Sequence, residues 1–125
     1  MFTHMFLGSN DVDRSRKFYE AVLAPLGRQN VMPADQPRLV FPSETSTLIV
    51  GAPANGEPAN ASNGFTVGFG AADAAAVDAF HAAGLANGGT CEGAPGPRPA
   101  APGNAYGAYL RDPDGHKVCA FCQLG

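Results

Sequence analysis

The chain has 125 residues, with 8 basic and 11 acidic side chains and a net charge of −3. That length supports one domain with a core of its own. The charge leaves no basic face for nucleic acid, and no run of about 18 apolar residues is present to cross a membrane.

The opening MFTHMFLGSND has no positive segment leading into an apolar run, so no signal peptide is expected and the cytoplasm is the expected compartment. Its alternation predicts a strand with Phe2, His4 and Phe6 on one face and Thr3, Met5 and Leu7 on the other. Asn10 or Asp11 can cap the helix that follows, on which Val12, Phe18, Tyr19, Val22, Leu23 and Leu26 recur at helical spacing. Gly27 ends it. Extended stretches are expected around Arg38–Phe41 and Thr47–Ala52, and the polar, proline-framed segment 53–63 is a connector. FTVGFG then predicts a second strand, and Asp73 caps a second helix bearing Val77, Phe80 and Leu85, closed by Gly88 and Gly89. Gly84 inside that helix costs about 1 kcal/mol relative to alanine. Residues 92–105 contain four prolines and three glycines, which rules out a helix or a central strand. The chain closes with a hairpin, YGAYLR and HKVCAFC joined by Asp112-Pro113-Asp114-Gly115, a sequence suited to a type I turn. Cys91, Cys119 and Cys122 are an odd set and not a disulfide framework.

The two halves are versions of one unit. Sliding residues 4–27 forward by 62 positions sets Gly8, Asp11, Phe18, Ala21, Leu23 and Gly27 on identical residues at 70, 73, 80, 83, 85 and 89. Module 1 therefore spans about 1–53, a linker about 54–62 and module 2 about 63–125 of a single domain. If helices cover one face of the sheet, Met5 and Leu7 match Val67 and Phe69 as the helix-facing set. His4 and Thr66 then share the opposite face, toward a groove between the copies. In the closing strand Val118, Ala120 and Cys122 face the helices and Cys119 faces the groove.

The segments THMFLGSNDVDRSRKFYEAVLAPLG, GFTVGFGAADAAAVDAFHAAGLANGG and YGAYLRDPDGHKVCAFC resemble the vicinal oxygen chelate superfamily, which includes glyoxalase I, extradiol dioxygenases and bleomycin-resistance proteins. The resemblance implies an α+β fold of two tandem βαβββ modules that form an open, cupped barrel-like groove. It also implies dimerisation, often with exchange of modules between subunits, so a homodimer is expected. Metal enzymes of this family carry His and carboxylate ligands at symmetry-related strand positions facing the groove. Carried over residue by residue, these positions are His4, about Ile49, Thr66 and Cys119. Only His4 is a usual ligand, so neither a two-His-one-carboxylate iron site nor a four-ligand nickel or zinc site is expected.

His4 and Cys119 are the best catalytic candidates. Histidine is the side chain suited to acid–base work at physiological pH, and Cys119 becomes a nucleophile only if a neighbour such as His4 lowers its pKa. Cys119 and Cys122 imitate a redox pair but point to opposite sides of a strand. Glu44, Glu57 and Glu92 are spare carboxylates in loops or at strand edges, His81 sits at an exposed-looking helix position and His116 follows the turn. Arg98, held between prolines, can project toward an anionic ligand, and either Tyr106 or Tyr109 can offer a hydroxyl to the cavity. Three readings stay open. The first is a small-molecule-binding protein without cofactor, its groove lined by His4, Phe6, Ile49, Thr66, Arg98, Tyr106 and Cys119. The second is a divergent lyase or dioxygenase holding a divalent metal through His4 and non-standard ligands. The third is an interaction subunit whose groove is packed shut.

Overall fold

A computed structural model describes residues 1–125. In chain order it contains β1 (His4–Gly8), α1 (Val12–Leu23), a 3-10 turn (Ala24–Leu26), β2 (Arg38–Pro42), β3 (Thr47–Gly51), β4 (Thr66–Gly70), α2 (Ala74–Ala86), β5 (Thr90–Pro97), β6 (Ala105–Arg111) and β7 (Lys117–Gln123). The strands form two separate sheets, β1-β3-β2 and β4-β7-β6-β5. The repeat is visible in their pairing, because β1 runs parallel to β3 as β4 runs parallel to β7. The class is α+β, as expected.

The first module has one strand fewer after its helix than the second. Val31 N–H donates to Val40 O at 2.9 Å, and Asn30 Oδ1 accepts from the amides of Met32 and Val40 at 3.1 and 3.0 Å. Residues 30–32 thus run beside β2 without forming a strand, and Pro33, which has no N–H to give a ladder, follows them. In the second module β5 does run into the proline-rich segment, but as an edge strand whose register shifts at Gly93 and Gly96.

Both helices begin as their sequences require. Asp11 accepts from Arg14 N–H at 3.1 Å and Asp73 from Ala76 N–H at 2.9 Å. Asn10 takes a different task and holds the linker, exchanging hydrogen bonds with the backbone of Ala59 at 3.0 and 2.7 Å. The left-handed residue that closes α1 and its 3-10 turn is Gly27, at φ 78°. After α2 that conformation falls on Gly88, one position before the residue the repeat aligns with Gly27.

The helices pack on each other and on one face of the sheets, around a core of 17 buried residues drawn from both modules. Phe18 and Phe80, the aligned aromatics, are both fully buried, each contributing about 2–3 kcal/mol by leaving water. Leu85 departs from the expected pattern, being 48% exposed. Gly84 takes the inner position of that turn, flat against Leu110, and the next residue is rotated about 100° away from it.

The modules are joined by a polar lock. The β6–β7 turn reaches the start of α1, where Asp114 accepts from Asn10 N–H, Arg14 and Ser15 at 3.0, 2.9 and 3.3 Å. His116 Nε2 donates to Gly8 O at 2.8 Å, and the buried Tyr19 hydroxyl donates to Asp112 at 2.6 Å. Burial keeps Asp112 above its ordinary pKa, and burial together with that carboxylate holds Tyr19 well above the ordinary phenol range.

Candidate functional site

The strand faces turned away from the helices carry the candidate residues. Paired strand residues share a face, so the register fixes which side chains lie together. On the first sheet His4 pairs with Thr47, and Phe6 pairs with Ile49, which in turn pairs with Val40. On the second, Thr66 pairs with Lys117, and Gly68 pairs with Cys119, which pairs with Tyr109. Ile49 beside Phe6 is therefore the counterpart of Cys119 beside Gly68.

Gly68 creates a recess. The only neighbour that a Cβ there would approach is Cys119 Sγ, at 3.3 Å. Tyr109 and Phe121 stand beside the thiol, their rings edge to face at 5.6 Å between centroids. Burial pushes the Cys119 thiol up to about 11, with Lys117 and Arg98 pulling partly the other way. At neutral pH it is a thiol and not a thiolate, which removes it as a nucleophile in this state. Its expected activator is engaged elsewhere, since His4 is exposed and its Nδ1 shares a hydrogen bond with Thr3 Oγ1 at 2.8 Å.

Arg98 lies near Tyr109. Its guanidinium carbon is 5.4 Å from the centre of the Tyr109 ring, and Lys117 Nζ is 4.9 Å from it. Tyr106 is on the other face, a correction to its expected place in the groove: its hydroxyl donates to Asp78 of α2 at 2.7 Å. His81 is likewise not exposed but buried, with Nε2 3.2 Å from Cys91 Sγ. β5 covers this side of α2, a contact between separate elements that helical spacing alone does not reveal. Lys117 and Phe121 were not anticipated from the sequence. They lie two residues either side of Cys119, so strand alternation was the signal that could have found them.

The four family ligand positions supply an imidazole, a hydrocarbon, a hydroxyl and a neutral thiol. Two of the spare carboxylates are committed to ion pairs, Glu44 with Arg28 at 3.4 Å and Glu92 with Arg111 at 2.9 Å. No three His, Cys, Asp or Glu side chains come together in a metal-holding group. This donor set does not fit the divalent metal of the family's enzymes.

Phe6 is 44% exposed and, with Gly8, faces linker residues Pro53, Asn55 and Pro58 across a hollow of about 600 Å³; a Cβ on Gly8 would meet Ala59. A cavity of about 690 Å³ opens between β1 and β4, bounded by Met5, Leu23, Phe41, Val67 and Phe69, and Thr66 and Gly68 lie on its edge. No helix is long and apolar enough to cross a membrane.

A sequence model of the glyoxalase/bleomycin resistance protein/dioxygenase superfamily matches residues 2–120. Among solved structures, a glyoxalase/bleomycin resistance protein from Albidiferax ferrireducens T118 is 47% identical, with a TM-score of 0.87 over 97% of each chain. A glyoxalase-related enzyme from Fulvimarina pelagi is 17% identical at a TM-score of 0.74, covering 95% of this chain and 85% of that one. A lactoylglutathione lyase from Agrobacterium tumefaciens is 24% identical at a TM-score of 0.63, covering 95% and 90%. These two show likeness of fold alone. No curated protein matches. Match to the family model along nearly the whole chain, and 47% identity to a structure of that description, establish that the chain belongs to the glyoxalase/bleomycin resistance protein/dioxygenase superfamily.

Proposed function

We propose that this protein binds a small molecule on the open face of its second sheet, without a metal or other cofactor. The observation that carries this reading is the gap left by Gly68 beside the Cys119 thiol, with Tyr109 paired to Cys119 and Phe121 edge to face with Tyr109. An apolar hollow with a few placed polar groups is what small-molecule sites share. The donor chemistry at His4, Ile49, Thr66 and Cys119 supports a metal-free role over a lyase or dioxygenase. The exposure of Phe6, Thr66 and Gly68 weighs against an interaction subunit with a closed groove. Phe2 and Phe65, 59% and 44% exposed, fit a homodimer in which a second copy covers the first-strand ends. Three unpaired cysteines suit a reducing compartment, the cytoplasm.

The test is a screen of aromatic fragments against nitrogen-15-labelled protein in the presence of a chelator. Fragments that bind are expected to shift the amides of Gly68, Tyr109, Cys119 and Phe121, and Gly68→Trp is expected to abolish those shifts without changing the fold. Binding that appears only with an added divalent ion, or that survives Gly68→Trp, would overturn the proposal.

A further inference from the structure

Two cations stand near one aromatic ring at this site, and neither is in an ion pair. The ion pairs of the chain are Arg14–Asp114, Arg16–Asp13, Arg28–Glu44 and Arg111–Glu92, which leave Arg98 and Lys117 uncompensated. Both stand within cation–π range of Tyr109, at 5.4 and 4.9 Å from its centre. Glu92, whose charge Lys117 also feels, is held by Arg111 at 2.9 Å.

Arg98 is set in place before any ligand arrives. Its backbone N–H donates to Ala105 O at 2.8 Å, its Nη2 to Ala94 O at 2.5 Å, and Pro97 and Pro99 stiffen the chain on either side. Its Nε is buried and has no hydrogen-bond partner. A buried donor without an acceptor is costly unless something completes it. The two charges also act on the Cys119 thiol, so their field reaches the floor of the recess. In a chain of net charge −3, this is a local positive field beside an aromatic pair, an arrangement that attracts anions.

We infer that the ligand of this face is a small anion, an aromatic or otherwise flat molecule carrying a carboxylate or phosphoryl group. The oxyanion is received by Arg98 and Lys117 and the flat portion lies in the Gly68 recess against Tyr109 and Phe121. The guanidinium offers a planar pair of donors to two oxygens and the ammonium adds a point charge. This inference rests on the proposed function, since it names the ligand class for the same site.

The test compares phenyl phosphate, benzyl alcohol and benzylamine by titration of nitrogen-15-labelled protein. Phenyl phosphate is expected to move the amides of Gly68, Tyr109 and Cys119 saturably and to bind at least tenfold more tightly than the neutral or cationic compound. Raised salt and the variants Arg98→Gln and Lys117→Gln are each expected to remove most of that preference, with melting temperature unchanged. Equal or tighter binding of benzyl alcohol or benzylamine at the same amides would overturn the anion preference while leaving a small-molecule site intact. A silent open face with all three compounds would also overturn it, and the fragment screen then decides whether the site itself survives.

Discussion

Asp112→Ala is expected to cost about 3–4 kcal/mol of stability, enough to lower the melting temperature by about 10 °C or more. The carboxylate accepts from the Tyr19 hydroxyl at 2.6 Å and from the amides of Asp114 and His116 at 2.9 Å each. Tyr19 is fully buried and His116 nearly so, leaving water little access to replace the lost acceptor. Asp112→Asn keeps an acceptor for the two amides and is expected to cost only about 1 kcal/mol. The pH dependence separates the two roles of the carboxyl. Burial raises its folded-state pKa above the ordinary value, so the folded state binds the proton more tightly than the unfolded chain. Stability contributed by this group is therefore present below the ordinary value and falls as pH rises through the raised one. Asp112→Asn removes that fall. Urea unfolding of both variants across acid pH checks the pair, and an alanine variant within 1 kcal/mol of the parent would contradict the lock between modules.

Gly89→Ala is the second large effect, about 3 kcal/mol. A Cβ at Gly89 would press into the Phe18 ring and lie 3.0 Å from both Arg111 O and Gly84 O. Phe18 is fully buried against Tyr19 and cannot swing away, and the two carbonyls belong to β6 and the end of α2. Gly27, its aligned partner, has no atom within 4 Å of such a Cβ, and its burden is the positive φ. The same repeat position thus protects close packing in one copy and a left-handed turn in the other. Gly27→Ala is expected to cost about 1 kcal/mol, so thermal denaturation that ranks the two substitutions equally would show that the Phe18 contact does not exist as described.

What was legible in the sequence was local or repeated. Asp11 and Asp73 announce their caps, the buried Phe18 and Phe80 follow from helical spacing, and the Asp112–Gly115 turn names itself. The equivalence of Ile49 and Cys119 was what the family resemblance implied, and the pairing of β3 with β1 and of β7 with β4 shows it. What failed depended on contacts across the chain. Tyr106 and Tyr109 have opposite phases on β6, and only the pairing of Tyr109 with Cys119 decides which faces outward. His81 and Leu85 exchanged their expected exposures because β5 covers one side of α2 and Gly84 turns its last inner position to Leu110. Lys117 gained meaning only when Tyr109 was placed beneath it.

The most direct test of a metal-free binding role is elemental analysis of protein purified without a metal-affinity tag, followed by melting with nickel, zinc, manganese and iron(II). The donor set at His4, Ile49, Thr66 and Cys119 predicts far less than one metal ion per chain and no change in melting temperature with any of the four. Near-stoichiometric metal, or a clear rise in melting temperature with one ion, would contradict it and restore the metalloenzyme reading.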